Sequence, residues 1–133
     1  MGQPAARQGD PVVGVDVHIV LVPAPPAPPV PTPLPHSFSG TLVQNLSLDV
    51  LIDGLPAATM GSVAVNQPPH LPTPPGVSFV NPPTNQGAVQ MGSTTVLIDG
   101  KPAARIGDQV MTCFDVPGSP ATVTAGSPTV SIG

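Results

Sequence analysis

Tryptophan and tyrosine are absent from this 133-residue chain, and phenylalanine occurs only three times. A core built on large rings is therefore excluded, and stability must come from backbone pairing, small-residue packing, stiff prolines or a bound metal. Cations are nearly as scarce: Arg7, Lys101 and Arg105 face seven acidic residues, for a net charge of −4. That balance offers no electrostatic footprint for nucleic acid. A single cysteine, Cys113, rules out an internal disulfide, and a reduced cytosolic thiol is the simplest reading. No window free of Pro and Gly keeps an apolar i, i+3, i+4 pattern, so long helices are excluded. No apolar run is long enough to span a bilayer. The stretch 12–22 carries Asp16 and His18 and follows no basic segment, so a cleaved signal peptide is not expected.

What the chain has instead is 22 prolines and 14 glycines, together more than a quarter of its residues. Such a share usually accompanies disorder, but 40% of the residues are hydrophobic and the net charge is small, which is not the profile of a chain held open by charge. The expectation is one ordered all-β domain over 1–133, rich in turns and extended segments.

Internal repetition organises that domain. The segment 94–108 contains Val96-Leu97-Ile98-Asp99-Gly100-Lys101-Pro102-Ala103-Ala104-Arg105-Ile106-Gly107, and 48–62 contains Val50-Leu51-Ile52-Asp53-Gly54-Leu55-Pro56-Ala57-Ala58-Thr59-Met60-Gly61. The two match at nine of twelve positions with an offset of 46. A third copy at 4–10, Pro4-Ala5-Ala6-Arg7-Gln8-Gly9-Asp10, has only the second half of the unit, and 126–133 repeats only the first half.

Each unit reads as a β-hairpin. Val-Leu-Ile is a short β-branched run, and Asp-Gly supplies a tight turn in which Gly accepts positive φ. The Pro-Ala-Ala segment then starts a second strand whose small side chains allow close packing. A hairpin of this size is not stable alone and must pack on its siblings. The last strand is expected to pair with the truncated first copy and close the set. Between copies, 11–22 reads as a strand pair or extended arm carrying His18. The proline-dominated span 23–35 reads as a stiff polyproline-like surface loop, with an SH3-type ligand as the lesser alternative. A second proline-rich span runs from 71 to 83.

Chemistry-bearing residues are few. His18, His36, His70 and Cys113 are all the histidines and cysteines of the chain, and each lies in a connection between copies. Three imidazoles and a thiolate would complete a tetrahedral zinc site of the closed, structural kind. No C-x-x-C or H-x-x-x-H spacing marks them, so four unrelated residues remain the alternative. No nucleophile elbow, phosphate-cradling loop or paired carboxylates appear, and no enzymatic role is expected.

The copies at Pro4-Ala5-Ala6-Arg7 and Pro102-Ala103-Ala104-Arg105, with Pro56-Ala57-Ala58-Thr59 in register, resemble the signature of the PAAR-repeat family. The frames Val-Leu-Ile-Asp-Gly-x-Pro-Ala-Ala-Arg-x-Gly-Asp and Gly-Ser-Pro-Thr-Val-x-Ile-Gly are similar to that family too. The resemblance implies a conical β-structure that binds, one copy per trimer, on the blunt end of a trimeric VgrG-type or phage gp5-like spike. Its systems are contractile: type VI secretion or related extracellular and phage-like particles. It also implies one structural zinc near the apex, for which His18, His36, His70 and Cys113 match the family's three histidines and cysteine in type and order. Two departures stand out, Thr59 for the Arg and Ser62 for the Asp of the second copy, and they put an Arg–Asp contact there in doubt. A bare tip without a fused effector domain is expected, assembled in the bacterial cytoplasm and carried outside on the particle. A free proline-rich adaptor is the rival reading. No nucleic-acid partner and no homo-oligomer are expected.

Overall fold

Asp53-Gly54 and Asp99-Gly100 reverse the chain as the sequence demands: φ is 52° and 81° at the first pair and 54° and 79° at the second. Two successive positive φ values form the turn whose twist matches flanking strands. The computed structural model describes residues 2–133, and among them there are strands and no helix. In order these are β1 Gln3–Pro4, β2 Pro11–Ala24, β3 Ala27–Gln44, β4 Leu51–Ile52, β5 Leu55–Pro56, β6 Val63–Asn66 and β7 Ser78–Phe79. They continue as β8 Gln86–Val89, β9 Leu97–Ile98, β10 Lys101–Pro102, β11 Gln109–Met111, β12 Ala121–Val123 and β13 Ser131–Ile132.

The motif copies make three equivalent hairpins: β4 with β5, β9 with β10, and β1 with β13, in which Gln3 faces Ile132 and Pro4 faces Ser131. The half copies at the two ends of the chain thus build one whole unit. The three units meet through a closed ring of backbone bonds. Ala6 N–H donates to Ala104 O (2.9 Å), Ala104 N–H to Ala58 O (3.0 Å), and Ala58 N–H to Ala6 O (3.0 Å). Each alanine is at once donor and acceptor, so the ring leaves no orphan group on its axis.

Strand alternation places the two alanines of each motif in different layers. Ala5, Ala57 and Ala103 pack with Ile52, Ile98 and Ile132 in one cluster. Ala6, Ala58 and Ala104 pack with Val12, Leu42, Val89, Val110 and Val123 in the other. All six alanines are fully buried, which explains why no larger residue serves at these positions.

From each unit one strand leaves and another returns. β2, β3, β6, β8, β11 and β12 pair in that order, and β12 pairs back with β2, so six strands close into a barrel. Closure removes the exposed edges that an open sheet would present. β2 and β3 run far beyond the rest and remain paired out to Ala24 and Ala27.

That long ribbon corrects the reading of 23–35 as a polyproline-like loop. The even-numbered residues of β2 face β3, because the carbonyls of Val17, Ile19 and Leu21 accept bonds from Asp115, Val80 and Val77 on the other side. The β3 partners of His18, Val20 and Val22 are Leu34, Thr32 and Val30, all with N–H groups. Pro31, Pro33 and Pro35 fall at the alternate positions, where the missing donors point to an unpaired edge. Alternating proline is therefore compatible with a strand here. The span 71–83 likewise contains a strand, β7, which pairs with Val20 and Leu21.

The departures in the second copy also resolve. Asp10 Oδ2 accepts Arg7 N–H (2.9 Å) and Asp108 Oδ2 accepts Arg105 N–H (2.7 Å). Ser62 Oγ accepts Thr59 N–H at 2.9 Å, so it keeps the backbone cap while the side-chain ion pair seen at Arg105–Asp108 (3.0 Å) is given up.

Candidate metal centre

The three excursions from the units converge above the inner core. Along β2, alternation turns Asp16, His18 and Val20 inward, and along β3 it turns His36 and Phe38 inward. Asp16 and His36 are cross-strand partners. His70 arrives on the segment that follows β6, where Asn85 Oδ1 accepts its N–H at 2.7 Å. Cys113 arrives just after β11.

One ligand-type atom each from Asp16, His18, His70 and Cys113 falls within 4.8 Å of the other three. Asp16 Oδ2 lies 3.0 Å from His70 Nε2, accepts from Cys113 Sγ at 3.4 Å, and is 4.0 Å from His18 Nε2. Cys113 Sγ is 3.7 Å from His18 Nε2. A tetrahedron with Zn–N and Zn–S bonds of ordinary length has ligand–ligand edges of about 3.3–3.8 Å, so these separations suit a single ion. Asp16 and His18 are wholly buried, and the cluster can bind a metal ion.

His18, His70 and Cys113, three of the residues singled out by type alone, thus come together. His36 stands beside them, with ring centroids 5.3 Å from His18 and 5.7 Å from His70, but its nitrogens are engaged elsewhere. Thr73 N–H donates to Nε2 (3.0 Å), which requires the proton on Nδ1, and Nδ1–H donates to Leu34 O (2.9 Å). Asp16 was not among the sequence candidates. The available signal was its position two residues before His18, on the same face of an alternating strand.

Burial sets the protonation of the cluster. It lowers His18 below the usual imidazole range, against the pull of the Asp115 carboxylate 3.5 Å from Nδ1. His36 is lowered chiefly by burial as well. The Cys113 thiol is pushed up to about 11, by burial first and the Asp16 carboxylate second. Without a cation the cysteine is therefore a neutral thiol, and metal binding must displace its proton. Asp16 Oδ1 also accepts from Thr112 Oγ1, which fixes the carboxylate's orientation.

No curated protein matches the chain. The family model described as PAAR motif matches residues 34–111 and again 80–133. The second match takes in β13, which pairs with the first Pro-Ala-Ala copy through β1, and together the matches cover most of the repeat-built body described above. The chain belongs to the PAAR motif family.

Proposed function

We propose that this protein is a spike tip: a monomer that caps the threefold end of a trimeric VgrG-type spike in a contractile injection system and sharpens it for membrane piercing. The observation that carries this reading is the ring of three hairpins joined through Ala6, Ala58 and Ala104, because one chain with three equivalent faces fits a three-chain surface. Leu51 and Leu97, at matching positions of two units, are exposed and offer apolar surface for such a contact. Backbone edges of the short hairpins add a route for continued strand pairing.

The metal in this reading is one structural Zn²⁺. His18, His70 and Cys113 supply three ligands, and Asp16 or His36 beside them supplies the fourth. Four protein ligands leave no open position for a reactive water, so the ion ties the three excursions together instead of doing chemistry. The adaptor alternative loses ground because the proline-rich span 23–35 is committed to the β2–β3 ribbon, with no free polyproline helix to offer.

Co-expression with a trimeric spike tests the proposal. Co-purification at one tip per trimer is expected, and particles assembled in the cytoplasm should carry the tip outside. A well-folded tip that never associates with any such trimer overturns it.

A further inference from the structure

We infer that the β2–β3 ribbon beyond His18, with the 71–80 segment beside it, is a lipid-binding surface that enters the hydrocarbon of a bilayer without help from headgroup charge. This deepens the spike-tip reading by naming what the far end of the tip touches.

Charge is the first argument. No Asp, Glu, Lys or Arg occurs in 17–48 or in 54–98. Asp16 is wholly buried, and Asp115 accepts the Ile19 N–H at 2.9 Å. Every other charged residue belongs to a repeat copy, and so to the hairpin end of the molecule. From Ile19 to Pro35 the one polar side chain is Thr32, whose Oγ1 already donates to Val30 O (3.1 Å). The 71–80 segment is tied to this ribbon on both sides: Thr73 Oγ1 donates to Pro35 O (2.7 Å), and the Val77 and Val80 N–H groups donate to Leu21 O and Ile19 O at 3.0 Å. Val30, Leu71, Val77 and Val80 are nevertheless exposed, Leu71 by 80%. Apolar surface gathered at one end marks an interaction site.

The backbone is the second argument. Hydrocarbon offers no partner for a free N–H, so an open strand edge is excluded from it. Here β7 covers one edge of β2, and on the unpaired edge of β3 Pro31, Pro33 and Pro35 have no N–H to leave free. The same prolines block strand pairing with a second copy or an extended peptide. A protein partner would also look for the hydrogen-bonding rim that this surface lacks. Acyl chains need neither. From Ile19 to the ribbon's end at Ala24 the arm rises about 17 Å at 3.3–3.4 Å per residue, against a hydrocarbon core about 30 Å thick. The ribbon therefore reaches into one leaflet and does not span.

Flotation of the full chain with vesicles tests the inference, using phosphatidylcholine alone and phosphatidylcholine mixed with anionic phosphatidylglycerol, at low and high salt. Equal binding to both, unchanged by salt, is expected. Val30→Asp and Leu71→Asp should each lower the partition coefficient by about tenfold or more, because each carries a carboxylate into hydrocarbon. Leu48→Asp, at an exposed leucine in the second repeat copy, should leave it unchanged. The chain has no tryptophan, so Val30→Trp adds a single reporter whose emission should shift to the blue on vesicles and be quenched by lipids brominated on the acyl chain. No flotation, flotation that requires anionic lipid and disappears in high salt, or equal loss in Leu48→Asp would overturn the inference. So would a lipid-free dimer that Val30→Asp dissociates, which would give the face to a second copy. A tip that joins a trimeric spike but ignores vesicles refutes this inference alone, and one that binds vesicles but never a trimer refutes the spike-tip reading alone.

Discussion

Replacing Ala104 with Val adds two methyl groups at a fully buried point where three backbone segments meet. On β-propensity alone the change should help, since β-branched residues favour strands. Packing opposes it. Ala104 faces Ala6 and Ala58 within the cluster that includes Leu42, Val89 and Val123, and the ring closes at 2.9–3.0 Å on all three sides, so no unit can move outward alone. Overpacking of a well-filled core costs about 1–3 kcal/mol. At about 4 °C per kcal/mol for a domain of this size, the midpoint should fall by about 4–12 °C. Ala104→Gly should also destabilise, by about 1–2 kcal/mol, through the lost methyl and the freer unfolded backbone. Because the chain lacks Trp and Tyr, far-ultraviolet circular dichroism is the suitable probe. The pseudo-threefold arrangement predicts similar losses for Ala6→Val and Ala58→Val. Valine tolerated at all three positions without a shift in midpoint, or a gain in stability, would refute the reasoning.

Gly14 gives a second packing test: a Cβ there would stand 2.5 Å from Ala121 Cβ and 2.7 Å from its Cα, so Gly14→Ala must push β2 away from β12. A loss of about 1–3 kcal/mol in chemical denaturation is expected, and an unchanged midpoint would contradict the barrel closure. The metal-free protein should also lose stability at both ends of the pH scale. His18 and His36 are lowered by burial, so the unfolded chain takes up protons first and stability declines as pH falls below about 6.5. The Cys113 thiol is raised from 9.0 to about 11, so its contribution is complete below 9 and disappears as pH climbs towards 11. Denaturation midpoints measured against pH should show both limbs, Cys113→Ala should flatten the alkaline one, and an unaltered alkaline limb in that variant would count against a buried neutral thiol.

Local rules make the repeat hairpins legible in the amino-acid sequence itself. Asp-Gly after a β-branched run dictates a turn with two positive φ values, and small residues after proline dictate close packing, because both effects act within a few residues. The half copies at the chain ends can be matched as halves of one unit for the same reason. His18, His70 and Cys113 are visible as candidates by chemical type, since the chain has so few such residues. Other features are settled by partners distant in sequence. Whether a proline-rich span is a loop or a strand depends on which edge its missing donors face, and that is fixed only when β2 lies beside β3. Whether His36 or Asp16 points a free atom at the cluster depends on Thr73 and Leu34 claiming one ring and on Cys113, 97 residues from Asp16, approaching the other group. Residue type sets what a side chain can bind, but the tertiary structure decides which of its atoms remain free to do so.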